Sequence, residues 1–276
     1  MFDPKSTKYP YTEYTDQHYL VVKKNNGQVF DENYPYIDYS KKAKFSKWLA
    51  RVLFYIIIFP MSCIYIGLRI KGRKNLKAYK EELKGGAITI SNHIHLWDYI
   101  AITKAIRPKK PHVIVWAPNI RGENGTMMRM VGGIPIPDDS KEGTIAFNKA
   151  ITDYLNKGGF LQIYPEGSMW EYYPHIRPFK NGAFSLAIRA NKPILPLGFS
   201  FRKPSWIRKH IFRQDAAITL TIGKPIFKDE SLSETEQRDD LTKRAHEAVC
   251  LLAGINPEDN IYPPIFNNNK RVDLDK

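Results

Sequence analysis

Residues 87–98 read Ala-Ile-Thr-Ile-Ser-Asn-His-Ile-His-Leu-Trp-Asp, and this stretch decides the fold. Ala87, Ile88, Thr89 and Ile90 form a short apolar, β-prone run of the kind that makes a buried strand. Beyond it, Tyr99, Ile100, Ile102 and Ile106 follow a helix-like pattern. His93 and Asp98 therefore fall at a strand-to-helix junction. On one helix, residues five apart point about 140° from each other. With His93 in the turn and Asp98 in the first helical turn, the carboxylate can face the imidazole. Imidazole is the commonest general base, and a carboxylate on its far nitrogen fixes tautomer and orientation. Such a pair suits deprotonating a hydroxyl.

Two alternatives stand beside that assignment. One is a turn histidine that only hydrogen-bonds its own loop. The other is a metal site, because His93, His95 and Asp98 spell H-x-H-x-x-D and are good zinc ligands. The familiar dinuclear hydrolase pattern has its Asp one place earlier, where this chain has Trp97.

Working outward, the chain of 276 residues is long enough for one large domain with an appendage. After Gly85-Gly86, strand-like and helix-like patterns alternate, which predicts an α/β domain over 81–255 with a mixed, largely parallel sheet flanked by helices. Strands are expected at 112–116, 160–164, 193–201 and 217–226, and an extended edge at 134–137. Helices are expected at 141–155, 181–190 and 233–252, with a glycine-broken helical connection at 119–130. Ser233 and Glu236 are spaced as a capping box, and Gly254 stops that helix. Residues 1–40 read as a polar, tyrosine-rich arm with a small hairpin around Asn26-Gly27. Residues 256–276 read as a polar tail.

The net charge of +14 predicts an anionic partner. Much of it lies in 41–80, which holds eleven Lys and Arg and no acidic residue. Inside that window, residues 52–68 are apolar apart from Ser62 and are interrupted by Pro60. The run barely reaches the length of a transmembrane span. A proline at its centre and cations at both ends argue against a core helix. Two short helices bent at Pro60 are expected, a membrane-associated hairpin dipping into one leaflet. Each Lys or Arg near an anionic leaflet contributes about 1 kcal/mol. The basic charge is thus assigned to a membrane surface, with no nucleic acid as partner, since no RNA-binding aromatic motif or zinc finger appears. Two distant cysteines and no signal peptide fit a reducing, cytosolic environment, and with the anchor a peripheral, monotopic place on the cytoplasmic face of a membrane.

Past the strand at 160–164 comes Pro165-Glu166-Gly167-Ser168. A carboxylate and a glycine just beyond a strand end sit where α/β sheets bind ligands. Glu166 is expected to accept hydrogen bonds from substrate hydroxyls, and the Gly167 amide to help hold an oxyanion. A simple turn is the plainer alternative. Lys180, beside the start of the next helix, makes a favourable anion site.

Taken in order, Asn92-His93-x-x-x-x-Asp98, Gly132-x-Ile134-Pro135-Ile136, Tyr164-Pro165-Glu166-Gly167-Ser168 with Phe179-Lys180-x-Gly182, and Lys192-Pro193-Ile194-Leu195-Pro196 resemble four sequence blocks of one family. These are the glycerolipid acyltransferases of the lysophosphatidic acid acyltransferase type. The resemblance implies His93 as general base, Asp98 as its orienter, and an acceptor site including Asn92, Glu166, Gly167 and Ser168. It sets Pro193, Ile194 and Pro196 beside the acyl path. It implies no bound cofactor, an acyl thioester donor (acyl-CoA or acyl carrier protein) or an acyl phosphate, and a lipid acceptor. Two departures stand out. Asp138 and Met169 occupy positions where the family commonly has phosphate-binding arginines, and arginine's fork suits phosphate in a way neither can imitate. Arg121, Arg177 and Lys180 are the candidate substitutes. The expected function is a membrane-associated O-acyltransferase of lipid biosynthesis. The alternatives are a metallohydrolase using His93, His95 and Asp98, and a basic membrane-surface or nucleic-acid binding protein without activity.

Overall fold

The computed structural model describes residues 22, 25–138 and 140–260. From Lys41 the chain runs through α1 (Lys41–Leu53), one π-helical turn (Phe54–Ile58) and α2 (Phe59–Tyr65) before reaching the sheet. Then follow β1 (Arg69–Lys71), α3 (Arg73–Ala78), β2 (Ala87–Ser91), α4 (Asp98–Ala105) and β3 (His112–Val115). Next come α5 (Ala117–Arg121), α6 (Gly125–Met130), β4 (Gly133–Pro135), α7 (Lys141–Asn156) and β5 (Phe160–Ile163). The fold closes with α8 (Gly182–Ala190), β6 (Ile194–Arg202), α9 (Trp206–His210), β7 (Ala217–Ile222) and α10 (Glu234–Ala253). The capping box of Ser233 and Glu236 opens α10, and Gly254 ends it in the left-handed conformation.

The strands form one sheet in the order β1-β7-β6-β2-β5-β3-β4. Only β6 and β7 pair antiparallel; the other neighbours are parallel. Parallel strands need crossovers, so helices cover both faces, and the strands read as continuous apolar runs. Successive residues serve opposite cores. Ile88, Ile90, Leu161 and Ile194 pack under α7, α8 and α10. Ala87, Phe160, Leu195 and Phe199 pack with Ala101, Ile102 and Ile106 of the α4 segment. β2 and β5 are central neighbours in parallel register, Ile90 opposite Ile163, so the turns that follow them emerge at the same sheet edge.

Three expectations change. The apolar run is one helical stretch, Lys41–Tyr65, long and apolar enough by length and composition to cross a membrane, rather than a hairpin of two helices bent at Pro60. Proline lacks an N–H and crowds the carbonyl one turn back. The chain answers by widening the preceding turn, where the Phe59 N–H donates to the Phe54 carbonyl, and the helix continues past Pro60. Leu53, Tyr55, Ile56, Ile57, Met61 and Ile64 are exposed along it. Its C-terminal carbonyls accept from cations of the domain: Lys104 Nζ reaches Phe59 O at 2.7 Å, and the Arg208 guanidinium reaches Cys63 O and Ile64 O, both at 3.1 Å. Positive charge complements the negative end of the helix dipole there.

Second, the α/β domain begins before residue 81. Arg69–Lys71 pair with Thr219–Thr221 as an edge strand, and Arg73–Ala78 is a helix beside it, so these basic residues are not part of an anchor. Third, residues 25–30 form no strand, and the other half of the hairpin expected at Asn26-Gly27 lies largely outside the described residues. The end of the arm is core: Phe30, Tyr34 and Tyr36 are buried and meet edge to face. At the other terminus Asn260 exchanges two hydrogen bonds with the Ile176 main chain, pinning the start of the tail.

Candidate active site

The turn after β2 is built on two buried carboxylates. Asp98, 1 % exposed, stands at the start of α4 and reaches back with Oδ2 to the amides of Ile94 (2.7 Å) and His95 (3.0 Å). The same oxygen lies 2.9 Å from His93 Nδ1. Glu166, 2 % exposed, accepts the His93 amide at 2.9 Å from across the β2–β5 seam. Three consecutive N–H groups that a tight turn would strand are thereby satisfied. The turn carbonyls are matched as well: His93 O accepts from Trp170 N–H and Ile94 O from Tyr172 N–H.

A carboxylate can only accept, so Asp98 assigns the proton of a neutral His93 to Nδ1 and leaves Nε2 with a lone pair. One quarter of the His93 side chain is exposed, which leaves the ring accessible. Its face stacks on Tyr164, with centroids 3.8 Å apart and planes 12° from parallel. Tyr164 is a residue whose role the sequence did not suggest. Its signal was an aromatic directly after β5, at the head of the Tyr164-Pro165-Glu166-Gly167-Ser168 block. The Tyr164 hydroxyl and Asp98 Oδ1 are both buried with no hydrogen-bond partner among the described residues. Burial first, then the Asp98 charge, pushes the Tyr164 hydroxyl well above its ordinary range, so it stays a neutral phenol.

The second cluster corrects the expected acceptor site. Arg177 is fully buried, and its guanidinium bonds Glu166 Oε2 at 2.9 Å and Ser168 Oγ at 2.7 Å, with a further bond to the Ser168 carbonyl. It also lies 4.4 Å from the Trp170 ring centroid. The Arg177 amide takes Glu166 Oε1 at 3.0 Å. Glu166 is therefore enclosed by protein donors and does not face a substrate hydroxyl. Ser168 and Arg177 are inside the same cluster, and Arg177 is not placed to receive a phosphate. The Gly167 amide donates to Tyr164 O at 3.0 Å, which takes it from the oxyanion role. Gly167 has φ +85°, and a side chain there would come within 3.0 Å of Lys180 Cε, so glycine serves both the turn and the passage of that lysine. Lys180 itself is exposed.

Asn92 is also structural. Its amide exchanges two hydrogen bonds with the Phe199 main chain, at 3.1 and 2.8 Å, tying β2 to β6. Pro193, just before β6, and Ile194 and Pro196 within it are buried rather than lining for an acyl chain. Pro193 O accepts from Ile88 N–H, Pro196 O from Gly223 N–H, and Ile194 is part of the core. Asp138 is engaged by Arg121 through two bonds of 2.7 and 2.8 Å, which removes Arg121 as a phosphate ligand. His95 turns away from His93: its Nδ1 accepts from Trp97 N–H at 3.1 Å, and its Nε2 lies 3.9 Å from Glu171. The H-x-H-x-x-D residues thus do not converge. Among the described residues, no three His, Cys, Asp or Glu side chains gather in a way that could hold a metal.

Against known proteins, residues 67–200 match the family model described as Acyltransferase. The chain is 27 % identical over 136 residues to the 1-acyl-sn-glycerol-3-phosphate acyltransferases of Salmonella typhimurium and Salmonella typhi. That match spans 48 % of this chain and 52 % of each relative, about half their length. The fold is similar to the 1-acyl-sn-glycerophosphate acyltransferase PlsC of Thermotoga maritima, with TM-score 0.50 and 17 % identity, over 79 % of this chain and 85 % of the other.

Proposed function

We propose, on the premise that residues 67–200 make this chain a member of the acyltransferase family, that it moves a fatty acyl group from an acyl thioester to the hydroxyl of a lipid acceptor. The observation that carries this is the 2.9 Å contact between His93 Nδ1 and the buried Asp98 carboxylate, with the imidazole still reachable from solvent. His93 Nε2 takes the acceptor's hydroxyl proton as its oxygen attacks the thioester carbonyl. The new C–O bond forms, the tetrahedral intermediate collapses with C–S cleavage, and the imidazolium returns its proton to the leaving thiolate. Asp98 holds the ring and balances its charge in the imidazolium state, and the Tyr164 face beneath it favours a cation. General-base help of this kind contributes about 10²- to 10⁴-fold.

The acyl donor is acyl-CoA or an acyl carrier protein, and the acceptor a lysophospholipid or glycerol-phosphate-type lipid. Arg121 and Arg177 are committed to Asp138 and Glu166, and of the three candidate phosphate ligands Lys180 alone has an exposed side chain. A charge-assisted contact contributes about 1.5–3 kcal/mol. With one such contact rather than several, a capped phosphate or a glycolipid hydroxyl competes well with a phosphate monoester. The exposed apolar helix Lys41–Tyr65 supports work at a membrane surface, and the two distant cysteines are the ground for reading that surface as a cytoplasmic face. Lifting a lysolipid out of a bilayer costs about 0.8 kcal/mol per CH₂, so an enzyme docked on the leaflet avoids that cost.

The test is acyl-thioester turnover against lysophosphatidic acid, a lysophospholipid with a capped phosphate and a neutral glycolipid. His93→Ala should lose at least about 10²-fold while staying folded. His95→Ala should keep most activity, because its ring is packed away from His93. Equal loss from both substitutions refutes the general-base assignment. A preference above a hundredfold for the phosphate monoester refutes the acceptor assignment.

A further inference from the structure

A cavity of about 50 Å³ opens where the N-terminal helix meets the domain, away from the His93 turn. A cavity holds one water once about 10–15 Å³ is open to a water-sized sphere, so this one has room for more than one. Its domain wall is built from Tyr99 and Thr103 of α4, from the segment between α4 and β3 with His112 at the N-terminal end of β3, and from Met130, Val131 and Gly132 at the end of α6. His93 follows the C-terminal end of β2, and β2, β5 and β3 run parallel, so the two places lie at opposite edges of the sheet.

The chemistry of the lining is one-sided. Lys47, Arg51, Arg107, Lys109, Lys110 and His112 contribute to it, and no carboxylate does. Lys47 Nζ lies 3.2 Å from His112 Nε2. An ammonium has only donors, so Nε2 accepts and the proton of neutral His112 is on Nδ1. Nδ1 is buried with no hydrogen-bond partner among the described residues, and so is Arg107 Nε. Both are N–H donors lacking an acceptor, surrounded by positive charge. Burying a donor unpaired costs about 1–3 kcal/mol, so groups of this kind are normally matched by something. The complement is an acceptor-rich anion. Beside Lys47 and Arg51 the helix wall adds apolar surface: the Arg107 guanidinium lies 5.1 Å from the Tyr55 ring centroid and 5.5 Å from that of Phe59. From Tyr55 the exposed face continues through Ile56 and Ile57.

We propose that this cavity binds the phosphate headgroup of a membrane phospholipid, whose acyl chains lie along the exposed face of the Lys41–Tyr65 helix. The charge selects phosphate, and the adjoining hydrocarbon surface selects a lipid over free phosphate. Arg107 and His112 Nδ1 donate to phosphate oxygens, with Lys47 and Arg51 closing the charge. The bound lipid would fix the helix against the domain. The site uses none of the acyl-transfer residues and stands whether or not His93 is the base.

The test uses the full chain in neutral detergent, titrated with dihexanoylphosphatidic acid, dihexanoylglycerol and inorganic phosphate. Saturable binding of the phosphatidic acid is expected, with no saturation by dihexanoylglycerol and at least tenfold weaker binding of inorganic phosphate. Arg107→Gln should weaken the phosphatidic acid at least tenfold. Arg51→Gln should do the same, and serves if the first variant misfolds. Lys74→Gln, which removes one exposed charge from α3, and Lys180→Gln, at the acyl-transfer site, should bind within twofold of wild type. Unchanged binding in Arg107→Gln and Arg51→Gln overturns the site. So does an equal loss in Lys74→Gln, which would mean diffuse electrostatics, or in Lys180→Gln, which would mean binding at the acyl-transfer site. Inorganic phosphate binding as tightly as the lipid overturns the lipid assignment.

Discussion

Replacing Glu166 by alanine tests whether this carboxylate is a clamp or a substrate ligand. Its two oxygens accept from His93 N–H, Arg177 N–H and the Arg177 guanidinium, and its side chain is 2 % exposed. Glu166→Ala leaves the Arg177 charge buried without its counter-ion, and removing one partner of a buried pair costs about 3–5 kcal/mol. At about 2 °C per kcal/mol for a chain of this size, Tm should fall by about 6–10 °C. The His93 turn loses one of its anchors, so kcat should fall without a selective rise in the acceptor KM. A double variant, Glu166→Leu with Arg177→Met, removes both charges. Apolar replacement of a buried pair is often close to neutral, so it should recover at least half of the lost Tm. Thermal melts and acyl-thioester turnover on the three proteins decide it. A Glu166→Ala protein melting within about 2 °C of wild type, with acceptor KM raised and kcat unchanged, would refute the clamp and return Glu166 to the substrate.

Tyr164→Leu keeps bulk beneath His93 but removes the aromatic face, and a cation–π contact of about 0.5–2 kcal/mol predicts a kcat loss of roughly 2- to 30-fold; an unchanged kcat would show that the stacking is only packing. His112 gives a pH signature: burial, then the charges of Lys47 and Arg51, push its pKa down to about 3. The unfolded chain therefore binds the extra proton first, so stability is full above the ordinary histidine pKa of about 6.5 and is lost as pH falls towards 3. His112→Gln should flatten that part of the Tm–pH curve relative to wild type, and parallel curves would contradict it. Membrane-bound protein should resist washing in high salt and release in detergent, because screening weakens cations but not apolar contact; complete release by salt would mean the apolar face of Lys41–Tyr65 is not inserted.

Much of the fold was legible locally. The run 87–90 before Asn92-His93 and the helical pattern after Asp98 predicted β2, the turn and α4, and the facing of His93 and Asp98 followed, because five residues across a turn leave little freedom. The order of strands and longer helices from β2 to α10 was legible for the same reason, apolar periodicity recording which faces are buried, while the five-residue α9 carried no such signal. The 41–65 helix was half legible. Its composition was evident, but how a proline is absorbed depends on the preceding turn widening, which no residue type announces.

The partners across the sheet were decided only by the tertiary structure. Glu166 and His93 are 73 residues apart, and their contact exists because β5 lies next to β2 rather than at an edge. Arg177 looked available for phosphate, as Arg121 did, because a charged side chain in sequence carries no sign of what sits opposite it. Burial against Glu166 and the fork onto Asp138 remove both. Asn92 seemed a site residue from its place beside His93, yet β6 outruns β2 and its Phe199 main chain claims the amide. Local sequence determines faces, turns and pairs a few residues apart, since those follow from backbone geometry. Which distant side chains satisfy one another is set by strand order, and a pattern along the chain does not contain it.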